Sequence, residues 1–197
     1  MTTLDSRRCA PALLAVCLLA GCSVLAPQRD PSRFFTLSPM TADAQSVRGS
    51  TTCGLGPVTL PTYLDRNEIA TRISPTEITY SPVDRWAEPL SAQVARTLLQ
   101  DLSALLGPDR VVPWPATVPV ERQIEVAVLR FERVGSEATQ LTARWSVKDL
   151  RSGRLITLRE SSYTHAPSSS AAAETASALS ADIADLSREI AQGAQAP

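Results

Sequence analysis

The sequence predicts an α+β domain: one mostly antiparallel β-sheet with two main helices packed on it. Residues 85–106 and 168–193 carry apolar side chains every three or four positions, the spacing of helices that rest on a core. Between residues 123 and 165, three strand patterns follow one another, separated by Gly135-Ser136 and Ser152-Gly153. Those pairs are turn signals, so the three strands are expected to form an antiparallel meander. Strands in runs, with helices set apart from them, give the α+β class.

The first element is an address rather than part of the domain. Arg7 and Arg8 precede an apolar run of 12 residues, 9–20. A spanning helix needs about 20, so this run is too short to cross a bilayer. A positive start, an apolar middle and small residues at the exit match a secretory signal. Leu19-Ala20-Gly21-Cys22 resembles the lipobox of bacterial lipoproteins. That likeness implies cleavage after residue 21 and a lipid anchor on Cys22, while Ser23 in place of an Asp implies outer-membrane sorting, facing the periplasm. The plainer reading is an ordinary signal peptide with Cys22 as one more small residue. Residues 22–32 then serve as an acylated cysteine and a tether with two prolines. Stretched out, that tether keeps the following domain within roughly 30 Å of the bilayer.

The domain is expected over residues 33–193. It opens with a strand in "RFFTLSP" (33–39), followed by a polar stretch at 41–51. "CGLGPVTLP" (53–61) reads as a second strand with an edge position or a bulge at its glycines and Pro57. "IATRIS" and "EITYS" flank Ser74-Pro75 as a hairpin. The first helix is predicted over 85–106, with Trp86, Leu90, Val94, Leu98, Leu102 and Leu105 as its apolar stripe. Glu88, Gln93, Arg96 and Gln100 fall off that stripe; Asp84 is a candidate cap, Pro89 lies in the first turn, and Gly107-Pro108 ends the run.

After the Pro-rich "VVPWPATVPV", residues 123–134 are apolar on both phases, as in a central strand. "LTARWSVKD" alternates, with Leu141, Ala143, Trp145 and Val147 on one face. The second helix repeats Ala172, Ala176, Leu179, Ile183, Leu186 and Ile190, and Gly193 is expected to close it. So narrow a stripe suits either a helix laid on a sheet or a coiled-coil seam with another chain.

Composition removes several classes of function. Without residues 1–21 the chain has 17 basic and 19 acidic side chains, so no strong field points to nucleic acid. With Cys22 acylated, Cys53 is the one remaining thiol, which rules out an internal disulfide. Its neighbours are apolar or glycine, so it reads as a small core residue. His165 is the one histidine; it sits beside Pro167 and a serine run and reads as a surface residue. No G-x-S-x-G elbow or P-loop occurs, and one histidine with one thiol cannot build a zinc site. We therefore expect no catalytic residue, no metal and no cofactor.

Two strings change the reading. "LPTYLDRNEIATRI" (60–73) and "DRWAEPLSAQVARTLLQDL" (84–102), with the lipobox and "FFTLSP", resemble the ABC-type transport auxiliary lipoprotein family, the PqiC-like proteins. The likeness runs from about residue 33 to 190 and is weakest over the last third. It implies a non-enzymatic, lipid-anchored accessory of a lipid transport system, with an MCE-domain protein and an ABC permease and ATPase as partners. It also implies a homo-oligomeric ring that docks onto the MCE tunnel and supports envelope integrity. On this reading Tyr63, Leu64, Asp65 and Arg66 form a turn presented to a partner or a neighbouring subunit. The alternative is that Tyr63 and Leu64 pack under the next strand while Asp65 and Arg66 are solvated. Trp114, held between Pro113 and Pro115, is the candidate exposed apolar contact. A lipid carrier with its own pocket and a general envelope scaffold are the competing functions.

Overall fold

Alternation along residues 141–147 sets one side of a strand apart for the core, and in the computed structural model Leu141, Ala143, Trp145 and Val147 are all buried. The structure describes residues 30–40 and 50–196. The signal segment, Cys22, most of the tether and the polar stretch at 41–49 lie outside the described residues. In chain order the elements are β1 (Arg33–Phe35), β2 (Cys53–Thr59), a 3-10 turn (Thr62–Leu64), β3 (Glu68–Ser74), β4 (Glu77–Trp86) and α1 (Leu90–Leu106). There follow β5 (Val111–Pro113), β6 (Arg122–Val134), β7 (Ala138–Asp149), β8 (Leu155–Tyr163) and α2 (Ala172–Ala194). The α+β class is observed: the described residues form one sheet of eight strands with two helices on it.

The sheet is mixed. Its long pairings are antiparallel, in the β3–β4 hairpin and the β6–β7–β8 meander. Four shorter junctions are parallel: β1 with β4, β2 with β5, and β6 with both β2 and β3. The length of β6, 13 residues, permits this. β7 lines one of its sides throughout, while β2 takes the start of the other side and β3 the end. The expected irregularity in β2 is a slip of register between Leu55 and Val58, around Gly56-Pro57.

The first helix starts later than its periodicity predicts. Arg85 and Trp86 end β4, and α1 begins at Leu90 with Pro89 just outside it. Proline disfavours helical geometry in the residue before it, so the apolar spacing of Trp86 belongs to a strand end. Asp84 caps nothing; it pairs with Arg33 at 2.6 Å and accepts from Ser81. Gly107 ends α1 at φ 113°, where a side chain would be strained. Gln93 falls off the apolar stripe, yet it is fully buried.

The second helix is laid on the sheet, against β6, β7 and β8, with α1 along its other flank. Burial therefore extends past the predicted stripe to Thr175, Asp182 and Ser187. Gly193 does not close α2, which continues to Ala194. Instead it lets the helix meet Trp145, whose ring would lie 2.6 Å from an added Cβ.

Between the helices runs the segment after β1. Leu37 is buried there, and Asp101 of α1 accepts from the Met40 N–H at 2.8 Å and from the Ser187 hydroxyl at 3.2 Å. Burial pushes the Asp101 carboxyl up to about 6, against the opposing pull of Met40 N–H, Ser187 and Arg188. Its folded-state value lies above the unfolded one of about 3.9, so the proton is held more tightly in the folded chain. The associated stability is complete below about pH 4 and is lost as pH rises through about 6. Asp101→Asn keeps an acceptor for Met40 and carries no charge. It is expected to raise stability at pH 7.5 by about 1–3 kcal/mol and to change little at pH 4. Urea unfolding at the two pH values checks this, and an equal effect at both would refute it.

Candidate functional site

Pro61 precedes a single turn, closed by Leu64 N–H to Pro61 O at 3.0 Å and Asp65 N–H to Thr62 O at 3.1 Å. The turn sorts the four predicted residues. Leu64 is buried in the core, Tyr63 is half-buried, and Asp65 and Arg66 are exposed. The Tyr63 hydroxyl donates to Glu132 Oε2 at 2.5 Å, and Arg72 Nε donates to the other oxygen at 2.5 Å. Glu132 is fully buried, so its charge is met there by the guanidinium and the phenol together. Burial pushes the Tyr63 phenol up to about 12, reinforced by the Glu132 carboxylate. Tyr80 donates to the Tyr63 carbonyl at 3.1 Å, and the Arg66 guanidinium stacks 4.5 Å from the Tyr80 ring centroid. Arg66 also pairs with Glu68 at 3.4 Å.

The result is a rigid turn with an exposed cationic and acidic tip. Its base is fixed by a buried ion pair and two tyrosines, while Asp65 and Arg66 face solvent. Sequence reasoning missed Glu132 and Arg72, which fix this turn. A slip of register between Val128 and Arg130 turns Glu132 to the face opposite Phe131 and Leu141, and no contiguous pattern announces that.

Trp114 belongs to a different cluster. It is half-buried, and its indole lies across β2 so closely that a Cβ at Gly54 would sit 2.7 Å from Cε3. The Trp114 main-chain N–H donates to Leu55 O at 2.8 Å. With Leu55, Pro57, Val58 and Leu99, it lines a mostly apolar cleft of about 280 Å³ beside α1.

Two further groups carry chemistry in principle. Cys53 is fully buried, and burial pushes its thiol up to about 11, so it is a core residue and a poor nucleophile. The His165 side chain is 37% exposed, and its Nδ1 lies 2.7 Å from Asp182 Oδ1. Asp182 is buried and accepts from Thr139 at 2.7 Å; burial raises its pKa, with His165 and Thr139 opposing. The other imidazole nitrogen faces Asp185 at 3.5 Å, a carboxylate where a triad would place its nucleophile. This arrangement pins the segment before α2. Sequence reasoning missed its buried partner, although an acid between Leu179 and Ile183 on the helix was a signal.

The model of the ABC-type transport auxiliary lipoprotein component family matches residues 35–191. The chain belongs to that family. This auxiliary component is similar in fold to the crystal structure of an uncharacterized protein, at TM-score 0.68 and 20% identity, covering 82% of this chain and 97% of the other. It is also similar to a Xanthomonas campestris protein of family DUF330, at TM-score 0.65 and 15% identity, with 80% and 92% covered. No curated protein matches it. The family is that of a transport auxiliary lipoprotein and is not a known enzyme family. Among the described residues, no helix of this auxiliary component is long and apolar enough to cross a membrane.

Proposed function

We propose that this chain is a lipid-anchored periplasmic subunit of an MCE/ABC-type lipid transport system, working by docking and assembly. The observation that carries the proposal is the family match across residues 35–191, nearly the whole folded body. The lipobox at Leu19-Ala20-Gly21-Cys22 supports anchoring, and Ser23 supports the outer membrane as its site. The rigid turn at Thr62–Leu64 supports docking, because it presents Asp65 and Arg66 without needing to order them on contact. Anchoring raises the local concentration of the body near a partner at the same membrane.

In-cell crosslinking of the tagged full-length chain tests the reading. Capture of an MCE-domain protein, together with crosslinks between copies, is the expected result. Capture of cell wall or unrelated proteins alone would replace it with an envelope scaffold. Cys22→Ser removes the acylation thiol and is expected to move most of the protein from the membrane to the soluble fraction. Each buried methylene of the lost chains contributes about 0.8 kcal/mol of anchoring. Unchanged membrane retention on fractionation would remove the anchor from the proposal.

A further inference from the structure

Residues 33–40 cross the domain as a strap. β1 joins the sheet over three residues only, at Arg33, Phe34 and Phe35, in parallel with the end of β4. Beyond Phe35 the chain leaves the ladder and enters the seam between α1 and α2. There its main-chain N–H groups are received by side chains. Gln93 Oε1 accepts from Leu37 at 2.8 Å, Ser180 Oγ from Ser38 at 3.1 Å, and Asp101 Oδ1 from Met40 at 2.8 Å.

Each acceptor is also held by a bond that does not involve the strap. The Gln93 amide donates to Glu88 O, Ser180 donates to Ala176 O, and the second oxygen of Asp101 accepts from Ser187. Side-chain acceptors oriented in advance toward successive N–H groups form a groove that reads an extended main chain. The occupant is held by few side chains. Leu37 is the one in the buried core, Phe35 and Met40 pack against that core from half-buried positions, Arg33 pairs with Asp84, and Phe34 is 63% exposed. Elements held by few buried contacts open locally, without global unfolding.

We infer that residues 33–40 are a releasable clasp, bound in cis in the α1–α2 groove, that sets how far the domain stands from its membrane anchor. The consequence for reach rests on the anchor at Cys22. With the clasp closed, the link from Cys22 to β1 spans roughly 30–40 Å, according to how fully it extends. With it open, the link extends to the start of β2 and spans up to about 100 Å. A closed clasp holds the body beside its own membrane, and an open one lets it follow a partner away.

Hydrogen exchange on the purified chain tests the clasp. The amides of Leu37, Ser38 and Met40 are expected to exchange at least 100-fold faster, relative to their intrinsic rates, than the β6–β7 ladder amides. Leu37→Ala is expected to speed the strap amides a further tenfold or more while the ladder rates stay unchanged. Ser180→Ala, which removes one acceptor outside the central apolar core, is expected to act in the same direction. Exchange of strap and ladder at one common rate, in the parent and in both variants, would show that the strap is inseparable from the fold. The measurement needs no acyl chain, so its failure is distinct from retention of Cys22→Ser in the membrane.

Discussion

Replacing Arg72 with Met is expected to destabilise the domain by about 3–5 kcal/mol, the cost of stranding a buried charge. Glu132 is fully buried, and Arg72 and Tyr63 each donate to one of its oxygens at 2.5 Å. Without the guanidinium, the Tyr63 phenol and a long bond from the Phe131 N–H remain to meet a carboxylate that water does not reach. The pair as a whole is worth far less than this loss, because burying both charges carried its own desolvation penalty. The double variant Arg72→Met/Glu132→Leu is therefore expected to recover most of the deficit. Urea unfolding of the four members of the cycle measures the coupling. A cost below about 1 kcal/mol for Arg72→Met would place this pair with exposed ion pairs and remove its role in fixing the Tyr63 turn.

The contact between Gly193 and Trp145 supplies the second large effect. Trp145 is buried, donates from its indole to Ser161 at 3.2 Å, and presses its ring edge against the α2 backbone at Gly193. Trp145→Ala removes that ring and is expected to cost about 3–5 kcal/mol. Gly193→Ala is the more telling change, because alanine improves helix propensity by about 1 kcal/mol and would stabilise an unobstructed site. Here the new methyl would lie 2.6 Å from the ring, so overpacking of about 1–3 kcal/mol is expected to outweigh that gain. In the Trp145→Ala background the same substitution is expected to become stabilising. The reversal of sign, read from thermal or urea unfolding, is the test; a loss in both backgrounds would mean that the ring is not what excludes the side chain.

These contacts show where sequence reasoning ends. The alternation of Leu141, Ala143, Trp145 and Val147 established both a strand and its buried face, because period two is visible within seven residues. Each predicted stripe residue of α2 is buried, and the meander follows its turn signals. Trp86 misled because its spacing from Leu90 fits a helix as well as a strand end, and only Pro89 distinguishes the two. Gly193 carried the composition of a terminator while serving as a packing site. Within the turn, the four named residues were legible as a unit, but Glu132, which holds them, lies 69 positions from Tyr63.

By itself, then, the sequence determined the α+β class, most strands, the body of both helices and the faces they bury. The lipobox gave the expectation of an anchor at Cys22, and the quoted strings gave the resemblance that the family match supports. All of these are carried by contiguous residues. Only the tertiary structure decided the parallel junctions of β6, the buried roles of Gln93, Asp101, Asp182 and Glu132, and the strap between the helices. The physical reason is common to them. A buried polar side chain is satisfied by a specific partner, and here the long-range partners stand 17 to 86 positions away. Local periodicity reports that a position faces inward, and the closing of long loops onto a packed core decides what it meets there.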